Sequence, residues 1–364
     1  MSKTISLQTL QQWLSEGKPV DVIDARTADD FDEWSIPGSR HADLFYEMKD
    51  GRFDGFLKIG IPADKPSVLV CYAGRTSSDA ANFLCQCGFD AYSLEGGMQA
   101  WSLAWNKAEL KTPSAQIVQI RRTGKGCMSY LVVSQGEALV IDPAIGVEDT
   151  LSLLESYGAR LIGIADTHVH ADHLTRARQL SAKTGAPFYL PENNRVSFEY
   201  TPLPKTIKVG ATHLSILKTP GHTWESVCLL IDGEALFTGD TLFVDSIGRP
   251  DLATKTGESE ERAKALYASL QMLKALPGDP WVLPAHTDHP APFDGRPIAK
   301  RLTEVVADVS FLKMSEPEFL DTILSRIPAT PPNHLEIVRL NEAGEFPLGD
   351  PTDLEAGANR CAVK

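Results

Sequence analysis

Apolar positions in the first hundred residues alternate between two rhythms. Leu7, Leu10 and Leu14 recur at three- and four-residue intervals and predict one face of a helix. Residues 20–23 and 68–70 are short apolar or β-branched runs that end in polar or glycine-bearing turns, as strand cores do. Ala80, Phe83, Leu84 and Cys87 return to helical spacing, so 77–88 is expected to be a helix stopped by Gly88. Strands alternating with helices predict a parallel sheet with helices on both faces, an α/β unit. Polar, proline-bearing residues near 106–116 break the rhythm, which divides the chain into a unit at 1–106, a linker at 107–115 and a second unit at 116–364. The second unit opens with strand-like runs at 117–121, 130–133 and 138–142, a helix at 151–157 and a strand at 161–165. After Pro331 the pattern is too weak to assign elements.

Length agrees with two units, because 364 residues exceed the ~250 to 300 at which a single hydrophobic core stops growing. With 43% hydrophobic and 23% charged residues the chain is ordinary globular material, neither fibrous nor disordered. A net charge of −13, acidic in both halves, excludes nucleic acid as the expected partner, since phosphate affinity rests on clustered basic charge. No run reaches the ~18 apolar residues of a membrane span. The opening residues read as a folded helix and not as a signal peptide, so a soluble cytoplasmic protein is expected. The six cysteines, at 71, 85, 87, 127, 228 and 361, lack the dense spacing of a disulfide framework and predict reduced thiols. Cys85, Cys87 and Cys228 are read as small buried hydrophobes.

Cys71 is different. It follows the apolar run 68–70 and opens a loop, Cys71-Tyr72-Ala73-Gly74-Arg75-Thr76, with a helix expected from Ser77. Backbone N–H groups of such a loop and of a helix N-terminus stabilise negative charge on sulfur and so favour the thiolate. Arg75 is positioned to meet an anionic substrate. The stretches at 22–26 (VIDAR), 35–39 (SIPGS), the Cys71 loop and 94–101 (LEGGMQAW) resemble, in the same order, the rhodanese sulfurtransferases. That resemblance implies that Cys71 becomes a persulfide, accepting sulfane sulfur from one donor and passing it to a thiol or to sulfite.

In the second unit the segment Thr167-His168-Val169-His170-Ala171-Asp172-His173 follows a predicted strand. Three histidines and an aspartate so close together point to metal ligation. His222, Asp240 and His286 each stand just past an apolar run, where strands present ligands. Imidazoles with carboxylates suit zinc, iron or manganese, and no cysteine is counted among the candidate ligands to select a softer metal. His41, His213, His289 and His334 lack such settings and are read as structural.

These residues resemble the metallo-β-lactamase superfamily, which implies an αββα sandwich of two face-to-face sheets with helices outside. Two branches of the superfamily fit. Hydrolases similar to glyoxalase II imply two zinc ions, one on His168, His170 and His222 and one on Asp172, His173 and His286, with Asp240 bridging, and cleavage of a thioester. Persulfide dioxygenases imply one Fe(II) on His168, His222 and Asp240, with His170, Asp172, His173 and His286 supporting them. The stretch 238–251, chiefly its GRPD at 248–251, is more similar to the dioxygenase branch. A sulfurtransferase joined to a persulfide oxidase would share a substrate. The expected protein is therefore an Fe(II)- and O2-dependent enzyme oxidising glutathione persulfide or a similar small persulfide to sulfite, with Cys71 moving sulfur to or from sulfite or thiosulfate. Arg249 is expected to bind an anionic part of the thiol carrier. Cys361 in the tail could fold back as a sulfur relay, although a tail cysteine is more often incidental. Association into a homo-oligomer is left open.

Overall fold

The computed structural model describes residues 3–252, 257–287, 289–349 and 351–364. In the first unit five parallel strands lie in the order Thr4–Ile5, Ala91–Leu94, Ser67–Val70, Asp21–Asp24, Arg40–His41. The period-two alternation of a strand explains why both faces are covered. Val22, Val68 and Val70 point to one side, against Leu10, Met98 and Trp101. Ile23 and Leu69 point to the other, against Phe56, Ala80 and Leu84.

The second unit is built of four layers. A sheet ordered Thr201–Pro202, Phe188–Leu190, Arg160–Ala165, Glu137–Ile141, Cys127–Ser134, Gln116–Arg122, Asn106–Lys111 packs on another ordered Thr206–Val209, Thr212–Lys218, Val227–Ile231, Ala235–Gly239, Trp281–Pro284, Lys300–Arg301. Ile117, Tyr130, Leu139, Leu229, Phe237 and Leu283 fill the space between them. The outward residues Val118, Leu131 and Val140 are covered by the helices Val147–Ser156 and Ala177–Thr184, through Leu153, Leu154 and Leu180. Leu236 and Val282 are covered through Leu266, Leu270 and Phe319 of the helices Glu258–Lys274 and Glu316–Ser325. Among the described residues no helix is long and apolar enough to cross a membrane.

Three sequence expectations change. Most of the segment 107–115, expected as a linker, is strand: Asn106–Lys111 pairs antiparallel with Gln116–Arg122. Its alternation was short enough to pass for polar loop, with Asn106 and Ala108 buried and Lys107 and Glu109 exposed. The helix after Cys71 begins at Arg75, two residues earlier than expected, because Gly74 at φ 76° supplies the tight entry. Past Pro331 the chain forms the helices His334–Ala343 and Thr352–Glu355 and a strand, Ala362–Val363, that pairs with Ile247–Gly248.

The two units are fastened to each other. The Trp34 indole N–H donates to the Gly124 carbonyl at 2.6 Å, and Gln99 of the helix Gly97–Trp101 bonds Asp353. Within the second unit Glu355, fully buried, receives Arg122 at 3.1 Å, Arg176 at 2.8 Å and the backbone N–H of Leu174 at 2.7 Å, which fixes the segment that carries Asp353.

Candidate metal centre and thiol loop

Strand Ser67–Val70, the central one of the five, delivers Cys71 at its C-terminal end, and the following turn wraps around the sulfur. Cys71 Sγ lies 3.2 Å from Ser77 Oγ, which lies 2.8 Å from Ser93 Oγ. Burial, the largest influence, opposes ionisation of the thiol. Hydrogen bonds from the Ser77 and Thr76 side chains and from the backbone N–H groups of Ser77 and Gly74 outweigh it, so the thiol is held below its ordinary value. Gly97 seats the second glycine-rich stretch under this loop, where a Cβ would collide with the Cys71 carbonyl oxygen. Met98 N–H donates to that oxygen at 2.9 Å and Gln99 N–H to the Tyr72 carbonyl at 3.0 Å. Arg75 stands exposed in the first helical turn, at the rim of the loop. Of the other cysteines in this unit, Cys87 is exposed, contrary to expectation, because it caps its helix, and Cys85 is half-buried.

In the second unit the ligand candidates converge at one edge of the sandwich. The segment 167–173 leaves the strand Arg160–Ala165, His222 follows Thr212–Lys218, Asp240 follows Ala235–Gly239 and His286 follows Trp281–Pro284. His168, His222 and Asp240 each bring one ligand atom to within 4.8 Å of the others. His168 Nε2 lies 3.8 Å and His222 Nε2 3.5 Å from Asp240 Oδ2.

Hydrogen bonds fix which nitrogen faces inward. Asp142, held at φ 50°, accepts from Thr167 N–H at 2.7 Å and from the Thr167 hydroxyl at 2.9 Å. With its proton committed to Asp142, the hydroxyl accepts from His168 Nδ1 at 2.9 Å, so the lone pair is on Nε2. His222 Nδ1 donates to the Arg249 carbonyl at 2.8 Å, which likewise leaves Nε2 as acceptor. Burial pushes both imidazoles below the ordinary histidine value and keeps them neutral. Asp240 goes the other way: burial raises it, but the surrounding His286, His222 and His168 hold it well below the usual carboxylate range. His168 Nε2 and Asp240 Oδ2 are buried and lack hydrogen-bond partners. Converging acceptors with no donor between them are costly to bury, and a cation satisfies them. The residues therefore fit a metal ion.

The remaining candidates form a second compartment. His173 Nδ1 lies 3.1 Å from Asp172 Oδ1, with Nε2 buried and unpartnered. His286 contacts both Asp240 Oδ1, through Nδ1, and Asp172 Oδ2, at 2.7 Å through Nε2. Burial works against the imidazolium, yet the two carboxylates raise His286 well above its ordinary value. His170 is turned away toward Asp142, with Nε2 3.2 Å from its Oδ1, and burial is outweighed by that carboxylate, which pushes His170 up to about 9. Its Nδ1 is buried without a partner.

Cys127, unnoticed in the sequence, and the tail Cys361 join this compartment. Cys127 clusters with Asp172, His173 and His286, and Cys361 with Asp240 and His286. Cys127 arrives through an isolated antiparallel bridge to His286 and donates to Asp172 Oδ2 at 3.2 Å. Burial pushes its thiol up to about 11. No spacing in the sequence signals either contact, since each is made across the fold.

Arg249 also departs from expectation. It is fully buried, and its donors go to both Asp251 oxygens and to the carbonyls of Pro328, Ala329 and Arg360, leaving none for a substrate anion. Arg262, unnoticed in the sequence, is the better-placed cation. It donates to the Gly221 and Leu252 carbonyls, while its Nη2 is buried with no partner among the described residues. It lines a cavity of about 900 Å³ together with Arg195, Thr223 and Trp224, next to the His222 loop.

A parallel sheet cradling a cysteine, joined to an αββα sandwich with a histidine-rich edge, defines a rhodanese-like domain followed by a metallo-β-lactamase domain. The comparisons agree: the family model described as a rhodanese-like domain matches residues 6–104, and that of the metallo-beta-lactamase superfamily matches 122–289. Among solved structures the chain is similar to a metallo-beta-lactamase from Staphylococcus aureus, with 28% identity and a TM-score of 0.59 over 65% of this chain and 75% of that one. It is also similar to ETHE1 from Myxococcus xanthus, with 26% identity and a TM-score of 0.53 over 66% of this chain and all (100%) of that one. A hydroxyacylglutathione hydrolase from Methylobacillus flagellatus is 34% identical over 41% of this chain. The match spans 57% of that relative's length and 56% of a second hydroxyacylglutathione hydrolase, from Dechloromonas aromatica.

Proposed function

We propose that the chain oxidises a small persulfide, glutathione persulfide in the first place, to sulfite with O2 at one Fe(II) held by His168, His222 and Asp240. Cys71, as its persulfide, exchanges sulfane sulfur with thiosulfate, sulfite or a thiol. One observation carries the single-metal reading. The three residues of the triad present Nε2, Nε2 and Oδ2 to a common point, whereas in the second compartment Asp172 Oδ2 already lies 2.7 Å from His286 Nε2 and accepts from Cys127 and Asn359, with His173 Nε2 and His286 Nε2 left without hydrogen-bond partners. The full coverage of the ETHE1 structure and the GRPD stretch support the same branch.

Two histidines and a carboxylate on one face would hold iron with open positions for a sulfur ligand and O2. The protein's own contributions are separable. Thr167 and the Arg249 carbonyl orient the imidazoles. Burial of every triad residue excludes bulk water. In the first domain the cradle favours the Cys71 thiolate as nucleophile and leaving group, and Arg75 attracts the anionic donor.

A second reading is favoured by the hydroxyacylglutathione hydrolase relatives and by the unpartnered His170 Nδ1 and His173 Nε2. These could complete a two-zinc site that cleaves a glutathione thioester. Anaerobic metal analysis followed by an oxygen-electrode trace on glutathione persulfide separates the two. One iron per chain with oxygen uptake is expected; two zincs, no uptake and thioester cleavage would replace the dioxygenase reading with the hydrolase.

A further inference from the structure

The ligand-bearing segment 170–175 belongs to no helix or strand: the strand Arg160–Ala165 ends before it and the helix Ala177–Thr184 starts after it. Its residues 170–174 are nevertheless buried. Buried N–H and C=O groups need partners, and a stretch outside the sheets has no ladder to supply them. Part of the supply comes from 166 to 171 residues further along the chain, from the helix His334–Ala343.

That helix lies across the segment. Ile337 and Leu340 pack against Leu174, and Val338 packs against Ala171. Asn341, one turn beyond Ile337 and 7% exposed, adds polar contacts. Its amide nitrogen donates to the His170 carbonyl at 2.8 Å and to the His173 carbonyl at 2.9 Å, while its Oδ1 accepts from the Thr175 N–H at 3.1 Å. Only this orientation of the amide matches donor with acceptor at all three places. The two gripped carbonyls bracket Asp172. Asp172 Oδ2 lies 2.7 Å from His286 Nε2, and His286 Nδ1 contacts Asp240 Oδ1. The His170 ring, carried by the same backbone, sits 4.3 Å from the His168 ring, centroid to centroid.

We propose that Asn341 is a positioning residue of the metal centre: its amide holds the backbone of 170–175 so that Asp172 meets His286 and His286 meets Asp240. The apolar contacts of Ala171 and Leu174 fix how closely the helix lies on the segment, but they leave the peptide planes free to turn. Two carbonyls bound to one buried amide fix those planes, and with them the direction in which the Asp172 side chain leaves the chain. Asn341 itself touches none of the triad and acts only through the segment it grips. This role rests on the metal centre of His168, His222 and Asp240, which both readings above share, and is indifferent to the choice of iron or zinc.

The test uses the full-length chain stripped of metal and titrated with Co(II), whose visible absorption reports the geometry of its ligands, against a competing chelator. Asn341→Leu removes all three bonds at nearly constant size, and Asn341→Asp keeps the acceptor for Thr175 while removing the donors. Both are expected to weaken Co(II) binding by about 10-fold or more, the loss typical when outer partners of a metal site are removed, and to change the absorption bands. Thiosulfate turnover at Cys71 should stay at the wild-type rate. Glu342→Gln, which cuts the ion pair of the same helix with Arg195, is expected to leave affinity and bands unchanged. A folded Asn341 variant that binds Co(II) as tightly as the wild type with the same spectrum, whatever its urea midpoint, makes the residue a packing element and overturns the positioning role. If neither variant folds, hydrogen exchange of the wild type decides: Co(II) is expected to slow exchange at both 170–175 and 337–341, and slowing at the first segment alone overturns the role. A wild-type chain that binds no Co(II) removes the metal centre itself and both readings with it, whereas a binding wild type with indifferent variants removes only the part given to Asn341.

Discussion

His222 and Arg249 are bound in both directions of the argument for a metal: the Arg249 carbonyl accepts from His222 Nδ1 at 2.8 Å, and the Arg249 guanidinium holds the segments around Pro328 and Arg360 in place. One residue therefore sets a ligand's tautomer and the packing around it. Arg249→Met removes the guanidinium's hydrogen bonds to Asp251 and to three carbonyls. Stability in urea unfolding is expected to fall, by about 1 kcal/mol for each bond lost at a buried carbonyl, together with weaker metal retention. Unchanged stability would mean that these bonds are already made to water.

Thr167 acts on His168 by the same logic. Thr167→Val keeps the shape but removes the hydroxyl that bridges Asp142 to His168 Nδ1. Metal affinity, read by chelator competition, is expected to fall by about 10- to 100-fold, as for other outer partners of ligating histidines. Thiosulfate turnover at Cys71 should stay at the wild-type rate.

The Cys71 cradle predicts a pH profile. A thiol held below its ordinary value keeps its thiolate at lower pH, so reactivity declines only when the pH drops beneath the shifted value. The midpoint of Cys71 alkylation is expected to lie below that of a free cysteine thiol titrated alongside. Ser77→Ala, which removes the first stabilising hydrogen bond, should raise that midpoint; a midpoint indifferent to Ser77 would leave the backbone N–H groups as the whole cause.

Gly97 is required by contact. Gly97→Ala drives a methyl group into the Cys71 carbonyl oxygen and displaces the loop. Sulfur transfer from thiosulfate is expected to fall at least tenfold while metal content is retained. Full activity would show that the loop adjusts without cost.

Glu355 supplies a stability prediction with a defined sign. Burial raises this carboxyl, but the Arg122 and Arg176 charges hold it far below its ordinary value of 4.5. Its contribution is complete above the unfolded value and is lost as pH falls through the lower, folded one. Acid unfolding should steepen below pH 4.5, and Glu355→Gln should cost about 3 to 5 kcal/mol at neutral pH. Urea midpoints across pH for both chains provide the measurement.

What could be read in the sequence was local. Cys71 and its loop, the cluster His168 to His173, and His222, Asp240 and His286 at the ends of apolar runs are all announced by neighbours a few residues away. The layered architecture followed from alternation along single strands, as at 117–121 and 130–133. What could not be read depends on distant partners. Cys127 and Cys361 acquire meaning only where they meet His286, and the five donors of Arg249 are used up by carbonyls and a carboxylate that sequence order does not bring together. The strand Asn106–Lys111 looked like a loop because only one of its faces is buried and its proline turn follows at once.

That misread strand sets where the polypeptide can be divided. A fragment starting at Gln116 would shed the outermost rib of the sandwich and bare those N–H and C=O groups of Gln116–Arg122 that face it, an adhesive border of the kind that recruits other chains. Dissection of the two domains should instead be made ahead of Asn106.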